Sequence, residues 1–87
     1  MTDIEQIQTL LASLEPESLE ILDDSEKHRG HPGAQSGGGH YSLHFVSAAF
    51  EGLNRMARHR LVYEKLHSMM GKKIHALSIK VYSPTEV

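Results

Sequence analysis

His40-Tyr41-Ser42-Leu43-His44-Phe45-Val46 alternates without a break. Tyr41, Leu43 and Phe45 fall on one side of an extended chain, and His40, Ser42 and His44 on the other. This is the pattern of a half-buried strand. Residues 50–81 decide the topology. Phe50-Glu51-Gly52-Leu53 reads as a turn, and Asn54 is a plausible N-cap for a helix over residues 55–70. Ala57, Leu61, Val62, Leu66, Met69 and Met70 make its buried stripe, and Gly71 suits the residue just past its end. Residues 74–81 form another strand, with His75, Leu77, Ile79 and Val81 on its core face. Strand, helix, strand makes a β-α-β unit, so these two strands are expected to run parallel with a right-handed crossover.

Upstream, Thr2 and Glu5 fit a capping box, and Ile4, Ile7, Leu10, Leu11 and Leu14 recur at helical spacing before Pro16. Leu19-Glu20-Ile21-Leu22 is a short strand candidate. Residues 24–39 carry five glycines and a proline and read as a Gly-rich loop that holds His28 and His31. A loop this long is usually functional or disordered. Downstream, Ser83-Pro84-Thr85-Glu86 resembles a helix start one residue before the chain stops. The expected architecture is one α+β domain over residues 1–87, in the order α-β-β-α-β. Both helices would cover one face of a three-stranded mixed sheet.

Composition narrows the function. Of 87 residues, 39% are hydrophobic and 23% charged, which suits a soluble globular chain. The chain has no cysteine, which excludes a disulfide scaffold, a thiol nucleophile and a cluster held by its own thiolates. No apolar run reaches the ~18 residues of a membrane span, and no leader pattern opens the chain, so a cytoplasmic location is expected. Residues 1–26 carry eight acids and no base, whereas residues 27–87 carry nine bases and three acids. Arg55, Arg58, His59 and Arg60 gather in the first turns of the second helix, where positive charge opposes the helix dipole. That points to an acidic partner or nucleic acid, besides plain solvation. Seven histidines are many for this length, and neutral imidazole is a common metal ligand. His40 and His44 cannot share one ion, because four residues of strand separate them by roughly 13 Å.

Phe50-Glu51-Gly52-Leu53, Arg58-His59-Arg60-Leu61-Val62-Tyr63 and Ile74-His75-Ala76-Leu77 together resemble the BolA family, with Gly39-His40-Tyr41 and Val46-Ser47 fitting the same pattern. The resemblance runs over about residues 4–86. It implies a fold similar to the class II KH domain, and a C-terminal helix that this chain, stopping at Val87, is not expected to have. It also implies a non-enzymatic partner of monothiol glutaredoxins, monomeric when alone. Such a protein shares a 2Fe-2S cluster across the heterodimer, for cluster trafficking, assembly or iron regulation. In that arrangement glutaredoxin supplies a cysteine and glutathione its thiolate. This chain would supply His75 and one loop histidine. Counting back from Gly39-His40 favours His31; the acidic residues ahead of Asp24-Ser25 keep His28 as the other candidate.

Three rivals stand beside this reading. KH-like nucleic-acid binding and transcriptional regulation would use the basic helix start. A KH domain, however, clamps the backbone with G-x-x-G, and Gly52-Leu53-Asn54-Arg55 lacks the second glycine. A simple zinc or copper site at His28-x-x-His31 would bind metal without glutaredoxin. Catalysis finds no nucleophile–base pair, and Gly37-Gly38-Gly39 precedes a strand rather than a phosphate-binding helix.

Overall fold

The computed structural model describes residues 2–24 and 39–87. The chain runs α1 (Asp3–Leu11), β1 (Ser18–Asp23), β2 (Gly39–Val46), α2 (Arg55–Lys65) and β3 (Ile74–Tyr82). Short 3-10 turns follow α1, β2 and β3, at Ala12–Leu14, Ala48–Phe50 and Pro84–Glu86. The three strands form one sheet in the order β1-β2-β3. β1 pairs antiparallel with β2, and β2 pairs parallel with β3. The expected α+β class, element order and mixed sheet are therefore present, and the arrangement is compatible with the class II KH likeness.

Each element has a local cause. Thr2 Oγ1 accepts from Glu5 N at 3.1 Å and Glu5 Oε1 accepts from Thr2 N at 3.0 Å, closing the capping box that starts α1. The Thr2 backbone bond holds the Glu5 carboxyl below its usual value. α1 tightens into its 3-10 turn, and Glu15, at φ 50°, reverses the chain ahead of Pro16. Asn54 caps α2 by accepting from Ala57 N at 2.8 Å. The expected helix over 55–70 is cut short. α2 ends at Lys65, and residues 66–69 continue as turns with Leu66 and Met69 still buried. The apolar stripe outlasts the helix because these turns face the same core. The helix start read at Ser83 becomes a 3-10 turn with its capping box intact.

Tyr41, Leu43 and Phe45 point into the core, as do Ile79 and Val81 of β3. Ile7 and Leu11 of α1, and Val62 and Leu66 around α2, close over them. Phe50 from the turn after β2 meets Phe45 edge-on at 5.0 Å between ring centres. Ser47 is wholly buried at the crossing of four segments. Its hydroxyl donates to Leu14 O and accepts from Ala49 N, while its own N–H donates to Tyr82 O at 3.0 Å. A buried hydroxyl satisfied in both directions fixes where α1, β2 and β3 meet.

The Tyr41 ring lies across Gly39, so a Cβ on Gly39 would come within 2.5 Å of it. Ala is ordinarily better than Gly in a strand, but overpacking costs more than that gain. Gly39→Ala is expected to lower stability by about 1–3 kcal/mol in a denaturant titration. The Tyr41 hydroxyl donates to Asp3 Oδ2 at 3.2 Å. Burial first, then the charges of Asp3 and Asp23, push its phenol up from 10.0 to about 12. The folded value lies above the unfolded one, so the contribution is complete below pH 10 and lost as pH rises towards 12. The phenolate absorbance difference between the parent and Tyr41→Phe should show a late titration near that value.

Candidate functional site

β3 begins at an irregular corner. Gly71, at φ 76°, turns the chain after Met70, and its N–H donates to Ile74 O at 2.9 Å. Ile74 N returns to Met69 O at 3.0 Å, and Gly39 N donates to Lys73 O at 2.8 Å. In the parallel ladder Gly39 faces Ile74, but the next pair is His40 with Ala76. His75 is thus the extra residue of a β-bulge. The bulge corrects one expectation: His75 is not on the core face. Leu77, Ile79 and Val81 keep the inward alternation; the inserted residue lets Ile74 take the buried position and turns His75 out to solvent.

On that outer sheet face His75 meets His40, ring centres 5.2 Å apart and planes inclined at 52°. Asp24 N donates to His40 O at 2.7 Å, and the Asp24 carboxylate accepts from the Ser42 hydroxyl. Further along, His44 is exposed, as its alternation indicates, and lies 5.3 Å from the Tyr82 ring. His28 and His31 lie outside the described residues. Among the described residues no group of three or more His, Cys, Asp or Glu is placed to hold a metal ion.

The basic residues split in two. Arg55 and Arg60 are exposed, and His59 is half-buried. Arg58 is structural. Its Nε donates to Leu53 O at 2.8 Å and its Nη1 reaches Val81 O at 3.5 Å. The guanidinium fork then grips Glu86, Nη1 to Oε1 at 2.6 Å and Nη2 to Oε2 at 3.2 Å. That contact with Arg58, followed by the Ser83 N–H, brings the Glu86 carboxyl down to about 2. Tyr63 Oη donates to Leu77 O at 3.4 Å, again reaching from α2 to β3. Arg55, Arg58, His59 and Lys80 line a groove of about 570 Å³ floored by Ile79 and Val81. The Gly52–Arg55 segment makes a turn, with Gly52 at φ 78°, that leads straight into the capped helix.

Sequence reasoning missed three participants. His40 belongs to the polar side of an alternating strand, and only the parallel register brings it to His75. Lys80 and Glu86 join the groove from far along the chain, through the β3 alternation and the Ser83 capping box respectively.

The family model described as BolA-like protein matches residues 10–86. Arabidopsis thaliana SufE-like protein 1, chloroplastic/mitochondrial, is 38% identical over 85 residues, covering 92% of this chain and 23% of that protein. The solved BolA domain of SufE1 from the same plant superposes with a TM-score of 0.84 at 36% identity, covering 100% of this chain and 99% of that one. Human BolA-like protein 1 is 38% identical over 74 residues, 85% of this chain and 52% of that protein. The DNA-binding transcriptional regulator BolA of Vibrio cholerae is 38% identical over 72 residues, 83% of this chain and 65% of that protein. The chain therefore spans between about a quarter and two thirds of the length of these full-length relatives. Motif, superposition and match over residues 10–86 agree, and the chain belongs to the BolA family.

Proposed function

We propose that this chain is a non-enzymatic accessory protein of iron–sulfur metabolism. It binds a monothiol glutaredoxin with glutathione and contributes His75 and either His31 or His28 to a shared 2Fe-2S cluster. The observation that supports this most is the bulge. It holds His75 between the paired residues Ile74 and Ala76 while presenting the imidazole to solvent, where a ligand on a partner can meet it. The donor chemistry fits as well. The chain offers imidazoles and no thiolate, so the sulfur ligands come from glutaredoxin and glutathione. When bound, a cluster supplies one-electron chemistry, with a potential raised where imidazole replaces thiolate.

This chain's own residues do the rest. Gly39 and the Tyr41 ring hold the start of β2 against Lys73, beside the bulge. Exposed Arg55 and Arg60 offer guanidinium forks to an acidic glutaredoxin surface or the glutathione carboxylates. A cytoplasmic location and a monomeric state without the partner belong to the same proposal. No described helix is long and apolar enough to cross a membrane.

Anaerobic reconstitution with glutaredoxin, glutathione, iron and sulfide tests it through visible absorption and circular dichroism. The expected result is a spectrum distinct from that of the glutaredoxin homodimer, altered by His75→Ala and by one of His31→Ala or His28→Ala. A complex indifferent to His75→Ala would overturn the ligand assignment.

A second reading, nucleic-acid binding, is favoured by the basic groove and by the name of the Vibrio cholerae relative. On this reading the slope of log affinity for duplex DNA against log salt falls by about 1 for each phosphate-contacting cation removed. Arg55→Ala and Lys80→Ala should each show that change. Arg58→Ala should show far less, since Glu86 already neutralises the guanidinium. A slope unaffected by Arg55 and Lys80 would dismiss the groove as a phosphate track.

A further inference from the structure

We infer that His40 and His75 form a two-imidazole site for a single zinc-class divalent ion, bound by this chain without glutaredoxin. The geometry carries this. Zinc sits about 2.0–2.1 Å from an imidazole nitrogen, hence about 3.2 Å from the ring centre, and at the tetrahedral angle two such rings lie about 5.2 Å apart. The observed separation is 5.2 Å, with planes inclined at 52° rather than stacked.

Both rings are set by the backbone. His40 is held on two sides, by the Asp24 N–H on its carbonyl and by its pairing with Ala76. His75 is the bulged residue between Ile74 and Ala76. The site comes from the bulge, because regular alternation would have sent His75 into the core and left His40 facing nothing similar. Neutral nitrogen donors select zinc, copper or nickel over magnesium or calcium. Asp24 and Ser42 line a shallow cavity of about 180 Å³ with His40, which places a carboxylate on the same face.

This differs from a site at His28-x-x-His31, which would use neither ring. It also has a consequence that rests on the cluster reading above. A divalent ion on His75 and a cluster ligated by His75 exclude each other, so the ion would act as a competitor of loading.

Zinc binding by the glutaredoxin-free chain, measured by isothermal titration calorimetry with no iron or sulfide present, tests the site apart from any cluster. His40→Ala and His75→Ala are each expected to weaken binding at least tenfold. His44→Ala and the double variant His28→Ala/His31→Ala are expected to change it less than threefold. In the parent chain, imidazole ¹⁵N shifts of both His40 and His75 should move with zinc, which covers the case of a variant that folds poorly. Unmoved His40 or His75 nitrogens, or binding abolished in the His28/His31 double variant, would overturn the assignment. Failure of cluster reconstitution would leave it standing.

Discussion

The parallel pairing of β2 with β3 depends on an uneven exchange at its first rung, where Gly39 faces Ile74 and His40 faces Ala76. One residue more on β3 than on β2 sends Ile74 into the core and His75 out of it. The exchange needs room, and Gly39 provides it: the Tyr41 ring covers the space a side chain would take, so the strand start lies close against Lys73. Core packing and the presentation of histidine on the outer face are thus two results of the same irregularity.

Charge is handled by specific pairs rather than by net balance. Arg58 is drawn away from solvent by two backbone carbonyls and a carboxylate, and it ties the start of α2 to the segment after β3. Asp3, at the opposite end of the helical layer, takes the Tyr41 hydroxyl and lies 3.9 Å from Lys73. The acidic first third of the chain thus meets its basic remainder at Asp3 and Lys73, whereas Arg58 and Glu86 pair within the remainder. Arg55 and Lys80 remain facing the groove.

Much of the fold is legible in the sequence because period-2 and period-3.6 patterns report burial directly. Tyr41, Leu43 and Phe45 announce β2, Ile7, Leu11 and Leu14 announce α1, and Asn54 announces where α2 starts. The same reliance on burial explains the misses. Leu66 and Met69 are buried whether the backbone is helix or turn, so periodicity overruns the end of α2. A bulge adds one residue without changing composition, so extrapolating the alternation of Leu77, Ile79 and Val81 puts His75 inside. Arg58 reads as part of a basic cluster because its partner Glu86 lies 28 residues away. The candidate site is legible in its residue types and not in its pairing: the family resemblance points to His75, but His40 becomes its neighbour only through a register that no local pattern encodes.

The contacts from α2 to β3 bear on how the molecule behaves in crowded surroundings. A sheet of three strands has two open edges, and an open edge is a template on which another extended chain can polymerise. Along β3 the carbonyls of Leu77 and Val81 are already taken by Tyr63 and Arg58, which interrupts the row of acceptors an incoming strand would need. Along β1 the exposed acids Glu20 and Asp23 repel a second copy of the same edge. Among the described residues one face of the sheet is left uncovered, and by these means it is guarded against aggregation at its rims while that face stays accessible.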